Sequence, residues 1–65
     1  MKITELNQTI RRVQNFILGV RAYPSPTNSF RAHCEREANR LIDQIAALGL
    51  FATAADLAAQ LAEAA

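Results

Sequence analysis

His33, Cys34 and Glu37 come closest, among the 65 residues of this chain, to a reactive constellation. A histidine and a glutamate four residues apart on a helix share a face, and such a pair can bind a metal or exchange a proton. Neighbouring helical residues point about 100° apart, however, so His33 and Cys34 cannot easily act as a base and its nucleophile. One cysteine and one histidine also leave a four-ligand zinc site incomplete unless a second chain completes it. The three residues therefore read as a surface histidine, a core cysteine and a solvated glutamate. Gly19 and Gly49 are isolated, so there is no phosphate-cradling loop. No paired carboxylates and no serine–histidine–acid set are present. A non-enzymatic protein without metal or cofactor is expected.

The arginines are the next chemical candidates. Arg36 and Arg40 share a helix face, with Arg31 near it, but Glu35, Glu37 and Asp43 are interleaved among them. Arg31 with Glu35, and Arg40 with Asp43, have the spacing of exposed ion pairs. The formal net charge is only +1, whereas nucleic-acid binders usually carry a clear basic excess. The distribution is uneven: Lys2, Arg11, Arg12, Arg21 and Arg31 against Glu5 make the first half basic. Glu35, Glu37, Asp43, Asp56 and Glu63 against Arg36 and Arg40 make the second half acidic. Ile45 to Leu61 has the outline of a helix-turn-helix unit. Its second helix offers Asp56, Gln60, Glu63 and alanines, with no cation to reach a phosphate or a base edge.

Helices must position all of these residues. Ile3, Leu6, Ile10, Val13, Ile17 and Val20 recur at alternating steps of three and four, the seam of a helix that packs lengthwise on another. A first helix is predicted from about Glu5 to Ala22, with Thr4 as N-cap and Arg21 in the last turn. Thr9, Phe16 and Tyr23 flank the seam, and Leu18 lies off it. Pro24 ends the helix, and Pro24-Ser25-Pro26-Thr27-Asn28 reads as a stiff, extended linker. A second helix is predicted from about Ser29 to Leu48, capped by Ser25, Thr27, Asn28 or Ser29. Its seam is Cys34, Ala38, Leu41, Ile45 and Leu48, with Phe30 and Ile42 alongside. Gly49 follows as a helix-ending glycine, and Leu50 can pack back. A third helix is predicted from about Ala54 to Ala64, with Thr53 and Asp56 as a weak capping box and Phe51 docked on the core. Leu57 and Leu61 give it a narrow apolar stripe among alanines, so it should be the weakest element.

The fold class expected is all-α: one domain, an antiparallel helical hairpin with a short third helix across one end. A core this small supplies only about 3–5 kcal/mol unless stapled. With a disulfide and zinc excluded, oligomerisation is the remaining staple. A homodimeric helical bundle is therefore expected, through Ile3, Leu6, Ile10, Val13, Ile17 and Val20 or through a composite of the first two helices. The alternative is a well-packed three-helix monomer that consumes this stripe inside the hairpin. No apolar run is long enough to span a membrane, Met1-Lys2 leads into polar residues rather than a secretory leader, and a lone cysteine suits a reducing compartment. A cytoplasmic location is expected.

The function expected is that of a small protein-binding regulator, an adaptor or inhibitor occluding a larger protein through a helix face. Its compact, motif-free make-up suits a bacterial or phage-encoded inhibitor. Phe16, Leu18 and Tyr23 are the expected anchors, and Arg11, Arg12 and Arg21 would steer towards an acidic target. Two alternatives are a dimeric nucleic-acid-binding regulator and a nucleotide-sequestering protein using Tyr23, Arg31, His33 and Arg36.

Overall fold

Pro24 and Gly49 punctuate the chain, and the helices run between them. The computed structural model describes residues 2–65. It comprises α1 (Ile3–Ala22), α2 (Ser29–Ala47) and α3 (Phe51–Ala64), with no strand among the described residues.

α1 begins two residues earlier than predicted. The Lys2 carbonyl already accepts from the Leu6 amide at 2.9 Å, which places Thr4 inside the helix rather than at its cap. Lys2 occupies the cap position without a side-chain hydrogen bond. At the other end Tyr23 (φ −123°, ψ 82°) leaves helical geometry, as a residue before proline must. The linker is less extended than predicted. Asn28 donates its amide to the Ser25 carbonyl at 3.1 Å, closing a turn with Pro26 at the second position, where its fixed φ suits the bend. Of the four candidate caps for α2, Asn28 serves: its Oδ1 accepts from the Arg31 amide at 2.9 Å.

α2 ends at Ala47, and Gly49 then adopts φ 84°. That left-handed geometry is open to glycine at little cost, and it lets the Gly49 amide reach the Ala46 carbonyl at 2.9 Å. The reversal is tight enough that α3 starts at Phe51, three residues early, with Thr53 inside the helix and no side-chain cap. Phe51 is 71% exposed and does not dock on the core. Counting about 100° per residue, it falls roughly 100° round the helix from Leu57 and Leu61. Leu50 takes the half-buried place instead. Leu48, predicted in the second seam, is exposed because it lies beyond the last turn of α2.

The core draws on all three helices: Val13, Ile17 and Val20 from α1; Cys34, Ala38, Leu41, Ile42 and Ile45 from α2; Ala54, Leu57 and Leu61 from α3. The most extensive interface joins α1 and α2. Small residues make it close. A Cβ built on Gly19 would stand 2.6 Å from the Cys34 sulfur, well inside contact distance, so a larger residue there would force the Cys34 side chain or the helices to shift. In the predicted α1 seam, Val13, Ile17 and Val20 are buried inside this single chain. Leu6 and Ile10 are half-buried against the core, and Ile3 is exposed.

One charged residue lies among these apolar ones. Pro24 removes the option of a glycine C-cap for α1, and its last carbonyls need donors from elsewhere. Arg31, in the first turn of α2, provides them. Its Nη1 donates to the carbonyls of Val20 (3.3 Å) and Tyr23 (3.0 Å), its Nη2 to the Ala65 main-chain oxygen (3.0 Å), and its Nε to Glu35 (3.1 Å). A single guanidinium thus gathers the C-terminal ends of α1 and α3, where helix dipoles favour a cation. Arg31 is 9% exposed, so its predicted pair with Glu35 forms with the arginine buried and the glutamate partly open to solvent. No buried side-chain nitrogen or oxygen among the described residues lacks a partner.

Candidate functional site

The candidate site grows from the flank of the α1 seam. Phe16 and Tyr23 are seven residues apart, two turns on one helix face. Phe30, His33 and Glu37 follow at steps of three and four on α2 and line a matching face. The two rows meet. Phe16 stands edge-on to His33 with ring centroids 6.0 Å apart, Phe30 edge-on to His33 at 6.3 Å, and Tyr23 tilted against Phe30 at 5.2 Å. These separations lie in the range of favourable aromatic contacts. Phe16 is the half-buried floor of the strip. Tyr23 and Phe30 remain 44% and 46% exposed, and His33 is exposed too.

One turn from the Phe16–His33 contact, the strip becomes charged. Arg12 precedes Phe16 by four residues and Glu37 follows His33 by four. Arg40 holds Glu37 through Nη2 at 2.7 Å and Nε at 3.2 Å. That hydrogen bonding keeps the Glu37 carboxyl below its ordinary value of 4.5. Desolvation opposes this, and the positive charges of Arg40, His33 and Arg12 add smaller contributions to the lowering. The predicted Arg40–Asp43 pair is replaced by this one. Helical side chains lean towards the N-terminus, which carries Arg40 back to Glu37, whose chain is also one methylene longer than that of an aspartate.

No protein family, curated protein or solved structure matches the chain. The site is therefore read from its chemistry alone. The six predicted partner-binding residues do not form one surface. Arg12, Phe16 and Tyr23 lie along the α1–α2 face. Leu18 is 59% exposed, but two residues from Phe16 it points roughly 160° away round the helix. Arg11 is seven residues from Leu18 and shares its outward side. It lines a shallow polar depression with Thr4, Asn7 and Gln8. Arg21, two residues before Tyr23, also faces away from the strip. Phe30, His33, Glu37 and Arg40 belong to the site and were not among the predicted anchors. Their spacing on α2 mirrors that of Phe16 and Tyr23, and this was the available signal.

The site brings aromatic and charged side chains to one face, and Cys34 and His33 do not join there as nucleophile and base. Cys34 is 1% exposed and burial raises its thiol pKa above the ordinary 9.0, which disfavours the nucleophilic thiolate. His33 lies outside, against two phenylalanines, so the two side chains occupy separate environments. Among the described residues no group of three or more His, Cys, Asp or Glu side chains is placed to hold a metal ion, and no helix is long and apolar enough to cross a membrane. The residues considered for a nucleotide do not assemble as predicted. Arg31 spends its donors on Val20, Tyr23, Ala65 and Glu35 inside the fold, leaving Tyr23, His33 and Arg36 without it.

Proposed function

We propose that the chain is a small non-catalytic protein-binding module, an adaptor or inhibitor that covers part of a larger protein with the α1–α2 face. The observation that carries this reading is the aromatic strip. Two aromatic side chains nearly half exposed, Tyr23 and Phe30, stand side by side at 5.2 Å and continue into His33 and Phe16. Aromatic residues dominate the energetics of many interfaces, and they lose little conformational entropy when already packed on one another. The body measures 35 × 18 × 13 Å between Cα extremes. Its broad side approaches the ~800 Å² that each partner buries in an interface of standard size, so occlusion suits the shape. We read α1 and α2 as an antiparallel hairpin closed by α3, because Phe16 meets His33 and Tyr23 meets Phe30 while the chain reverses between them. Lengthwise pairing of a second copy through the α1 seam gains no support from burial, since Val13, Ile17 and Val20 are already covered within one chain.

The test compares the intact protein with Tyr23→Ala/Phe30→Ala. Both side chains lie outside the core, so the circular dichroism spectrum should be unchanged. A protein recovered from lysate by the intact chain and lost with the variant is the expected result. Equal recovery by both, or none by either, overturns the reading.

A further inference from the structure

The charges around the aromatic strip specify a partner chemistry, and this inference rests on the reading just given. Among the described residues the ion pairs are Arg31–Glu35 and Arg40–Glu37. Neither Arg12 nor Arg36 forms an ion pair among the described residues, although Arg12 lies near enough to Glu37 for its charge to be felt there. Arg12 lies one turn from Phe16 on α1. Arg36 lies one turn from both His33 and Arg40 on α2. The rim within two turns of the strip therefore carries Arg12, Arg36 and Arg40 against Glu37. Only Glu37 offers a carboxylate there, and Arg40 already holds it at 2.7 Å. An apolar strip bordered by uncompensated guanidinium groups is complementary to an apolar side chain bordered by carboxylates.

We propose that this face binds an acidic peptide segment of a larger protein, its aromatic or long aliphatic side chain set against Tyr23 and Phe30 and its carboxylates against Arg12 and Arg40. In a helical segment the carboxylates would stand about three turns from the anchor, the distance that separates Arg12 from Tyr23 on α1 and Phe30 from Arg40 on α2. A nucleic acid would satisfy the arginines. It is less well matched by a rim in which Glu37 sits between the cations, and by the acidic residues Asp56 and Glu63 of α3.

The experiment uses a displayed library of random peptides of roughly twelve residues, selected on the intact chain and counter-selected on Tyr23→Ala/Phe30→Ala. Enriched peptides are expected to pair an aromatic or long aliphatic residue with two or more Asp or Glu. Their binding should fall about tenfold in Arg12→Glu, the order of effect of reversing one contacting charge, and hardly at all in Arg11→Glu on the outward side. A thymidine oligonucleotide of matching charge should not displace them. Enrichment of neutral or basic peptides, equal losses in the two arginine variants, or displacement by the oligonucleotide overturns the acidic partner while leaving a binding face in place. Failure of any peptide to distinguish the intact chain from the double variant overturns both.

Discussion

Replacing Arg31 with methionine tests how much of the fold depends on one guanidinium. The substitution keeps a long side chain of similar reach and removes every donor. Lost are the bonds to Val20 (3.3 Å), Tyr23 (3.0 Å) and Ala65 (3.0 Å), and the exposed-side bond to Glu35. Hydrogen bonds to a charged group contribute about 1.5–3 kcal/mol each. They are not additive, and ordering an arginine costs up to about 2 kcal/mol of side-chain entropy. The Glu35 partner is 38% exposed and adds little after solvent screening. A net loss of about 2–4 kcal/mol follows. In a domain this small each kcal/mol moves Tm by about 4–8 °C, so Tm should fall by roughly 10–25 °C. Urea denaturation followed by helical circular dichroism at one wavelength measures the free energy, and a thermal scan measures Tm. Arg31→Lys should recover less than half, because one ammonium cannot reach three carbonyls in the fixed fork geometry. Buried ionic groups are sometimes replaced by apolar ones without loss. An Arg31→Met variant as stable as the parent, or a full rescue by lysine, would refute the reasoning.

Three further perturbations follow from the packing. Gly19→Ala should destabilise by about 1–3 kcal/mol through overpacking against the Cys34 sulfur, despite the roughly 1 kcal/mol that alanine gains in helix propensity. Cys34→Ala should offset part of that loss, so the double variant is expected to be more stable than the sum of the two single changes in a denaturation cycle. The Cys34 thiol, buried and with its pKa raised, should react with an aromatic disulfide reagent only as fast as the fold opens, and at once in denaturant. Glu37 has a folded-state pKa below its unfolded value, so its contribution is present above pH 4.5 and is lost as pH falls through the lower folded value. Glu37→Gln should flatten that acid limb of the stability profile and lower the neutral and alkaline limbs by a constant amount without changing their slope.

What could be read from the sequence is what local periodicity records. Val13, Ile17, Val20, Cys34, Ala38, Leu41 and Ile45 repeat at three- and four-residue steps, and all seven are buried. Pro24 and Gly49 announce helix ends because each fixes a backbone geometry. The errors lie at boundaries and in pairings set by tertiary structure. Thr4 and Thr53 have the right residue type for caps, but the chain enters each helix before them. Arg31 looked like half of a surface pair with Glu35. Its decisive partners are main-chain carbonyls 8, 11 and 34 residues away, which no side-chain pattern encodes. The candidate site was half legible. Phe16, Tyr23 and Arg12 followed from the flank of the first helix. Leu18 was grouped with them by its apolar character, although helical geometry turns it to the opposite side. Phe30, His33 and Arg40 joined only when the two helices were placed together, because a face shared by two helices has a sequence signature in neither one alone.

The face itself is tested most directly by photo-crosslinking in cells with a benzophenone amino acid, which is close in shape to phenylalanine. Phe30→benzoylphenylalanine places the probe in the aromatic strip, and Leu18→benzoylphenylalanine places it on the outward side of α1, at a position more exposed still. The expected result is a covalent adduct with a larger protein from position 30 and none from position 18. Adducts from position 18 alone, from both positions equally, or from neither would contradict the assignment of the α1–α2 face as the binding surface.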